Sequence, residues 1–173
     1  MDDRATYTRC HTFGALCSMK KNPSDLSLDL YEQPGHLIRR AHQIAVSMFH
    51  EELGRDVTPV QYAILRMLQE TPGIDQVTLA LKVGLDNSTA ADIARRLEAK
   101  GWIVREILPR RQRRLALTDA GTQMLSGFVT GVHQLSANML SNLDADEQQE
   151  FMRLLQKFVR INNDQSRAPL RPD

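Results

Sequence analysis

Residues 84–117 read GLDNSTAADIARRLEAKGWIVREILPRRQRRLAL, and the fold is decided by three patterns that follow one another there. Gly84 suits a left-handed turn and Leu85 an apolar plug at a helix corner. Ala90, Ile93, Ala94 and Leu97 then recur at helical spacing, which predicts a helix over 87–100 closed by Gly101. Beyond it, residues 102–107 and 115–117 are short β-prone runs flanking an arginine cluster, the pattern of a small hairpin. A short helix over 75–82, with small Ala80 for close crossing, precedes the turn. Together these elements predict a winged helix-turn-helix.

The inward apolar positions leave Ser88, Thr89, Ala91, Asp92, Arg95 and Arg96 on the exposed side of the second helix. Asn87, Ser88 and Thr89 supply capping side chains at its start. A helix N-terminus with short hydroxyl side chains meets phosphates and base edges well. The hairpin then lets a guanidinium enter an adjacent minor groove, where A·T-rich sequence deepens the negative potential. Arg110 and Arg111 are the expected tip residues. Arg113 and Arg114 either touch phosphates or are simply solvated. Asp92 either accepts from a cytosine amine or pairs with Arg95 or Arg96, and the intramolecular pair is preferred.

Charge points the same way. The whole chain of 173 residues carries a formal net charge of only +1. Between residues 95 and 114, however, eight cations face two anions, so the remainder is acidic. A compact basic segment on an acidic protein attracts a polyanion locally, and nucleic acid is the commonest such partner.

Outward from this lobe, 42% apolar and 25% charged residues indicate an ordinary globular chain of one compact domain. The expected boundaries are an N-terminal extension over 1–33, a core over 34–163 and a flexible tail over 164–173. Within the core the DNA-binding lobe spans about 56–118. A helix over 35–54 carries Leu37, Ile38, Ala41, Ile44, Ala45, Met48, Phe49 and Leu53 on one stripe. Thr58-Pro59-Val60-Gln61 is a capping box with proline at the first helical position, and Ala63, Ile64, Met67 and Leu68 form the buried stripe of the helix that follows, to about Glu70. Two longer helices are expected over 118–140 and, capped at Asp144, to about 163. The last repeats Phe151, Leu154, Leu155, Phe158 and Val159 at amphipathic spacing. These helices exceed what a small winged domain needs, and their stripes require a partner chain. A dimer would also set two recognition helices about 34 Å apart, matching successive major grooves.

The run TPVQYAILRML, the helix-turn-helix, LEAKGWIVRE and an arginine wing closing on LALTDAG together resemble the MarR family of bacterial transcriptional regulators, over about residues 35–163. The wing is about two residues shorter than is usual there, and LPRRQRR lacks the acidic residue that commonly precedes the tip arginines. The resemblance implies a mainly α fold with a small β-hairpin wing, made of a winged helix-turn-helix domain plus a helical dimerisation region. It implies a homodimer, with first, fifth and sixth helices interlocked, that represses transcription from a pseudo-palindromic operator in double-stranded DNA. Release is expected from a small-molecule effector, often an aromatic or phenolic carboxylate. The pocket would lie where the first, second and fifth helices meet the reading domain, with His36, Arg39, Arg40, His42 and Tyr62 as candidate lining groups. Each has a plainer alternative: salt bridging for the arginines, capping or solvation for the histidines, packing for Tyr62.

Other classes are disfavoured. Cys10 and Cys17 are the two thiols, and a thiol-based redox sensor using them is the alternative regulator. Phosphate loops, G-x-S-x-G, H-E-x-x-H and metal-spaced histidines are absent, so neither an enzyme nor a cofactor is expected. The apolar patch FGALCSM is too short and polar for an export signal, and residues 121–142 are interrupted too often for a bilayer span. A cytoplasmic protein is expected.

Overall fold

The computed structural model describes residues 29–107 and 113–170. Its elements are α1 (Pro34–Leu53), α2 (Pro59–Glu70), α3 (Gln76–Lys82), α4 (Asn87–Ala99), β1 (Ile103–Ile107), β2 (Arg113–Leu117), α5 (Asp119–Gly127), α6 (Val129–Leu140) and α7 (Ala145–Ile161), with 3₁₀ turns at Leu30–Glu32 and Asn163–Gln165. The chain divides into two units, ending and beginning at Ile38 and Arg39. In the first, Asp29 caps the Leu30–Glu32 turn by accepting from the Tyr31 N–H at 3.0 Å, and the Tyr31 ring meets His36 edge-on.

The second unit is built around the predicted lobe. Val57 of the α1–α2 loop and Ile64, Leu65, Leu68, Leu79, Leu97, Ile103 and Leu115 of α2, α3, α4 and the hairpin are fully buried in one cluster, which Phe49 and Leu53 of α1, Leu125 of α5 and Leu135 of α6 extend. Thr58 and Gln61 close their capping box in both directions. Ala80 is buried at the crossing, Gly84 takes φ +68°, and the Leu85 N–H donates to the Ala80 carbonyl at 2.8 Å, so the corner is built as its residues require. β1 and β2 pair antiparallel, with Ile103 opposite Leu117 and Arg105 opposite Leu115. A third segment, unpredicted, joins them: the Gly73 N–H donates to the Leu115 carbonyl and the Leu115 N–H to the Ile74 carbonyl. The outgoing wing strand is thereby tied to the α2–α3 loop.

Four expectations need correction. The α2 stripe is Gln61, Ile64, Leu65 and Leu68, whereas Ala63 is exposed, because the core lies one residue around the helix from the apolar maximum. The single helix over 118–140 is two, α5 and α6, separated at Phe128. Gly127 has poor helix propensity, Thr122 and Ser126 return their hydroxyls to the carbonyls four residues earlier, and Phe128 turns in beside Tyr62. The tail does not fray from 164: the Asn163 side chain brackets the backbone of Leu170, accepting from its N–H at 2.8 Å and donating to its carbonyl at 2.9 Å, and Ala168 is buried. The α4 cap is Asp86, one residue ahead of the expected trio. Its carboxylate reaches the Thr89 N–H and both neighbouring hydroxyls, which the shorter Ser and Thr side chains cannot do together.

The two apolar stripes outside the lobe are uncovered within one chain. Of the α1 stripe only Phe49 and Leu53 are buried, and α7 buries none of its residues. Phe151, Leu154, Leu155, Phe158 and Val159 remain 44–52% exposed. Among the described residues no helix is long and apolar enough to cross a membrane.

The wing is joined to α5 at one contact. Thr118 donates its N–H to the Trp102 carbonyl and its hydroxyl to the Gly101 carbonyl, and accepts from the Gly121 N–H. A Cβ on Gly121 would stand 2.0 Å from the Trp102 carbonyl oxygen, whereas one on Gly127 would meet nothing within 4 Å. Gly121→Ala is therefore expected to destabilise the protein by about 2–4 kcal/mol in urea titration, while Gly127→Ala leaves it unchanged or slightly more stable.

Candidate nucleic-acid interface

The interface is built from the start of α4 and the hairpin beside it. Asp86 accepts from the Thr89 N–H at 2.9 Å and from the Ser88 and Thr89 hydroxyls. These bonds, that from Ser88 first, hold its carboxyl well below the usual carboxylate range. Asn87, Ser88 and Thr89 are exposed at the helix N-terminus as expected. The two hydroxyls spend their protons on Asp86, so in this state they face outward as acceptors.

Further along α4, Asp92, Arg95 and Arg96 are exposed, and Ala91 is half-buried. Asp92 forms an ion pair with Arg95, the intramolecular reading of the aspartate. Both side chains stay more than half exposed, and such a pair contributes at most about 1 kcal/mol. A phosphate can therefore displace it. Among the described residues no carboxylate pairs with Arg96.

The hairpin separates two arginines that the sequence lists together. Arg113 lies opposite Ile107, on the sheet face that carries Arg105 and Leu115; Arg114 lies opposite Glu106, on the other face. The Arg114 stem runs along Gly73, where a Cβ would meet its Cδ at 3.2 Å. Both arginines are exposed. Arg110 and Arg111, the expected tip residues, lie outside the described residues, as do Cys10 and Cys17. One contact of the site escaped sequence reasoning: Arg105 Nε donates to Glu98 Oε2 at 2.6 Å, and Nη2 donates to the same oxygen. Periodicity cannot reveal a pair that meets across a turn from two different elements.

The candidate effector groups are not brought together as one set. Arg39, Arg40 and His42 are exposed on α1, with Arg40 donating to Gln43 at 3.3 Å. His36 belongs to the first unit. Tyr62 is half-buried between Phe49 and Phe128, and it lines a cavity of about 280 Å³ whose polar lining includes Arg66, Gln69, Ser126 and His133. Arg66, which the sequence reading passed over, is engaged with Glu70 at 2.8 Å. Among the described residues no group of three His, Cys, Asp or Glu side chains is placed to hold a metal ion.

Comparison with known proteins gives one answer. Residues 57–115 match the model of the MarR family. The transcriptional regulator HosA of Escherichia coli O127:H6 is 31% identical over 126 residues, which is 72% of this chain and 93% of that protein. The PcaV transcriptional regulator of Streptomyces coelicolor, solved with its natural ligand, superimposes with a TM-score of 0.73 at 33% identity, covering 78% of this chain and 96% of that one. BpsR of Bordetella bronchiseptica, whose DNA binding is regulated by 6-hydroxynicotinic acid, gives 0.72 at 25% identity over 77% and 98% of the two chains. With a helix-turn-helix, a basic hairpin and relatives matched over nearly their whole length, this chain belongs to the MarR family of transcriptional regulators.

Proposed function

We propose that this regulator acts as a homodimeric repressor that occupies a pseudo-palindromic operator and is released by a small aromatic or phenolic carboxylate. The observation that carries the reading is the contrast between the two halves of its apolar surface. The reading lobe buries its core completely within one chain, but α7 buries nothing while presenting Phe151, Leu154, Leu155, Phe158 and Val159 in one stripe. Leaving such a stripe in water forfeits about 1.5–3 kcal/mol for each large side chain that a partner would bury. A second copy of the chain offers the same stripe and closes the interface by two-fold symmetry. The symmetry then presents two α4 helices to successive major grooves on one face of a duplex.

In this reading Asn87, Ser88, Thr89 and Ala91 approach base edges, Arg95 and Arg96 reach base edges or phosphates, and Arg113 and Arg114 anchor the backbone on either side of the wing. Arg110 and Arg111 reach the minor groove. The cavity beside Tyr62, close to the lower end of the usual small-molecule range of about 300 Å³, suits a single-ring ligand. Arg66 and Tyr62 would receive its carboxylate and hydroxyl there, while Arg39, Arg40 and His42 of α1 would act from a dimer-dependent wall. Regulation of a relative by 6-hydroxynicotinic acid, a single-ring hydroxy acid, supports that chemistry.

The test is fluorescence anisotropy with a duplex selected by the protein from a randomised library, with and without hydroxybenzoates. Ligand addition is expected to release the wild type, and Tyr62→Phe or Arg40→Ala to blunt release more than binding. Phe158→Asp should run as a monomer by light scattering with unchanged helical content, since Phe158 is half exposed in one chain, and should bind the duplex at least ~100-fold more weakly. A dimer with wild-type affinity would overturn the reading. Asp92→Ala, which frees Arg95, is expected to strengthen binding to unrelated duplex and to steepen the salt dependence by up to about one unit of log–log slope.

A further inference from the structure

We propose that Glu98 is a positioning residue for DNA reading: by gripping Arg105 it holds the wing at a fixed angle to α4, so that both elements engage the duplex together. The inference rests on the assignment of α4 and the wing as two DNA-facing elements.

Three observations carry it. First, the grip differs in kind from the other described ion pairs. Arg66–Glu70, Arg95–Asp92 and Arg153–Glu150 each lie three or four residues apart within one helix, with both partners 43–62% exposed. Arg105–Glu98 joins the last turn of α4 to the middle of β1, and its side chains are only 17% and 36% exposed. Shielding from water strengthens a charge-assisted bond, and two donors on one oxygen restrict its direction.

Second, beyond its base, where Ile103 is buried in the core and Thr118 bonds to the Trp102 carbonyl, β1 is held through its partner strand. It is the outer strand of a two-stranded sheet, paired only with β2. The α2–α3 loop bonds to β2 and not to β1. Between the end of α4 and the start of β1 the backbone supplies two bonds, from the Gly101 N–H to the Glu98 carbonyl and from the Trp102 N–H to the Leu97 carbonyl, and both lie before the first residue of β1. The Glu98 carboxylate is thus the side-chain tether on the side of the wing facing α4.

Third, the charges nearby set electrostatics and geometry against each other. Arg113 shares the sheet face of Arg105, and both guanidiniums hold the Glu98 carboxyl below its ordinary range, Arg105 by its hydrogen bond first and Arg113 through its charge. Removing the carboxylate adds one positive charge to a surface that meets phosphates. Simple electrostatics then predicts tighter binding to any duplex. A positioning role predicts poorer discrimination between duplexes, because the wing no longer arrives in register with α4. The two effects act on separately measurable quantities.

The experiment measures anisotropy with a duplex of about 30 base pairs enriched by the wild type from a randomised library and with a scrambled duplex of the same composition. Glu98→Gln and Glu98→Ala are expected to lower the selected-to-scrambled affinity ratio by about tenfold, with scrambled binding unchanged or stronger. The charge swap, Glu98→Arg with Arg105→Glu, should restore the ratio to within about threefold of wild type, since it rebuilds the tether with its polarity reversed. A ratio that stays within about twofold in both single variants overturns the proposal. So does an equal loss on both duplexes with a lowered melting temperature, which marks a merely structural pair. If the wild type enriches no sequence, the DNA-reading assignment itself fails and the proposal falls with it.

Discussion

The close approach of α5 to the end of α4 at Gly121 is the constraint on which the remaining architecture depends. Within four residues of sequence, Thr118 bonds to the carbonyls of both Gly101 and Trp102, and Gly121 lies against the Trp102 carbonyl with no room for a Cβ. The end of α4, the base of the wing and the start of α5 therefore share one stiff joint. Any tilt of α5 is delivered to α4 and β1 with little loss, because close-packed contacts have no slack in which to absorb it.

The reading surface itself is graded in firmness. Its floor is apolar and buried: Ala94 and Leu97 of α4 share one cluster with Ile103 and Leu115 of the hairpin. Above that floor, polar contacts hold without being permanent. The Asp86 carboxylate orders the first turn of α4 through Ser88 and Thr89, and the Asp92–Arg95 pair screens a cation until something more negative arrives. Exposed pairs of this sort cost little to open, whereas a duplex supplies many phosphates at once.

Much of the lobe was legible in sequence because its signals are local. Thr58 with Gln61, and Asp144 with Glu147, both close capping boxes, since each box needs only residues three apart. Gly84 takes the left-handed turn expected of it. The misreadings came where a neighbour in space decided the outcome. Ala63 gave way to Gln61 and Leu65 on the buried face of α2, the helix over 118–140 broke at Phe128, and the chain beyond 163 was held by an asparagine that brackets the backbone of Leu170. Of the five effector candidates, four clustered on the first helix and Tyr62 on the second, only Tyr62 lines the cavity.

Sequence by itself determined the capping boxes at Thr58 and Asp144, the helix-turn-helix corner, the hairpin after it and the concentration of positive charge beside them, because periodicity, capping chemistry and turn glycines act over a few residues. Tertiary structure alone decided that the Arg114 stem runs along Gly73, that Arg105 reaches Glu98 and that Asn163 brackets the backbone of Leu170. Those outcomes depend on strand register, on the angle between packed elements and on which surface another element happens to cover, and none of these is encoded in the spacing of residues along a single segment.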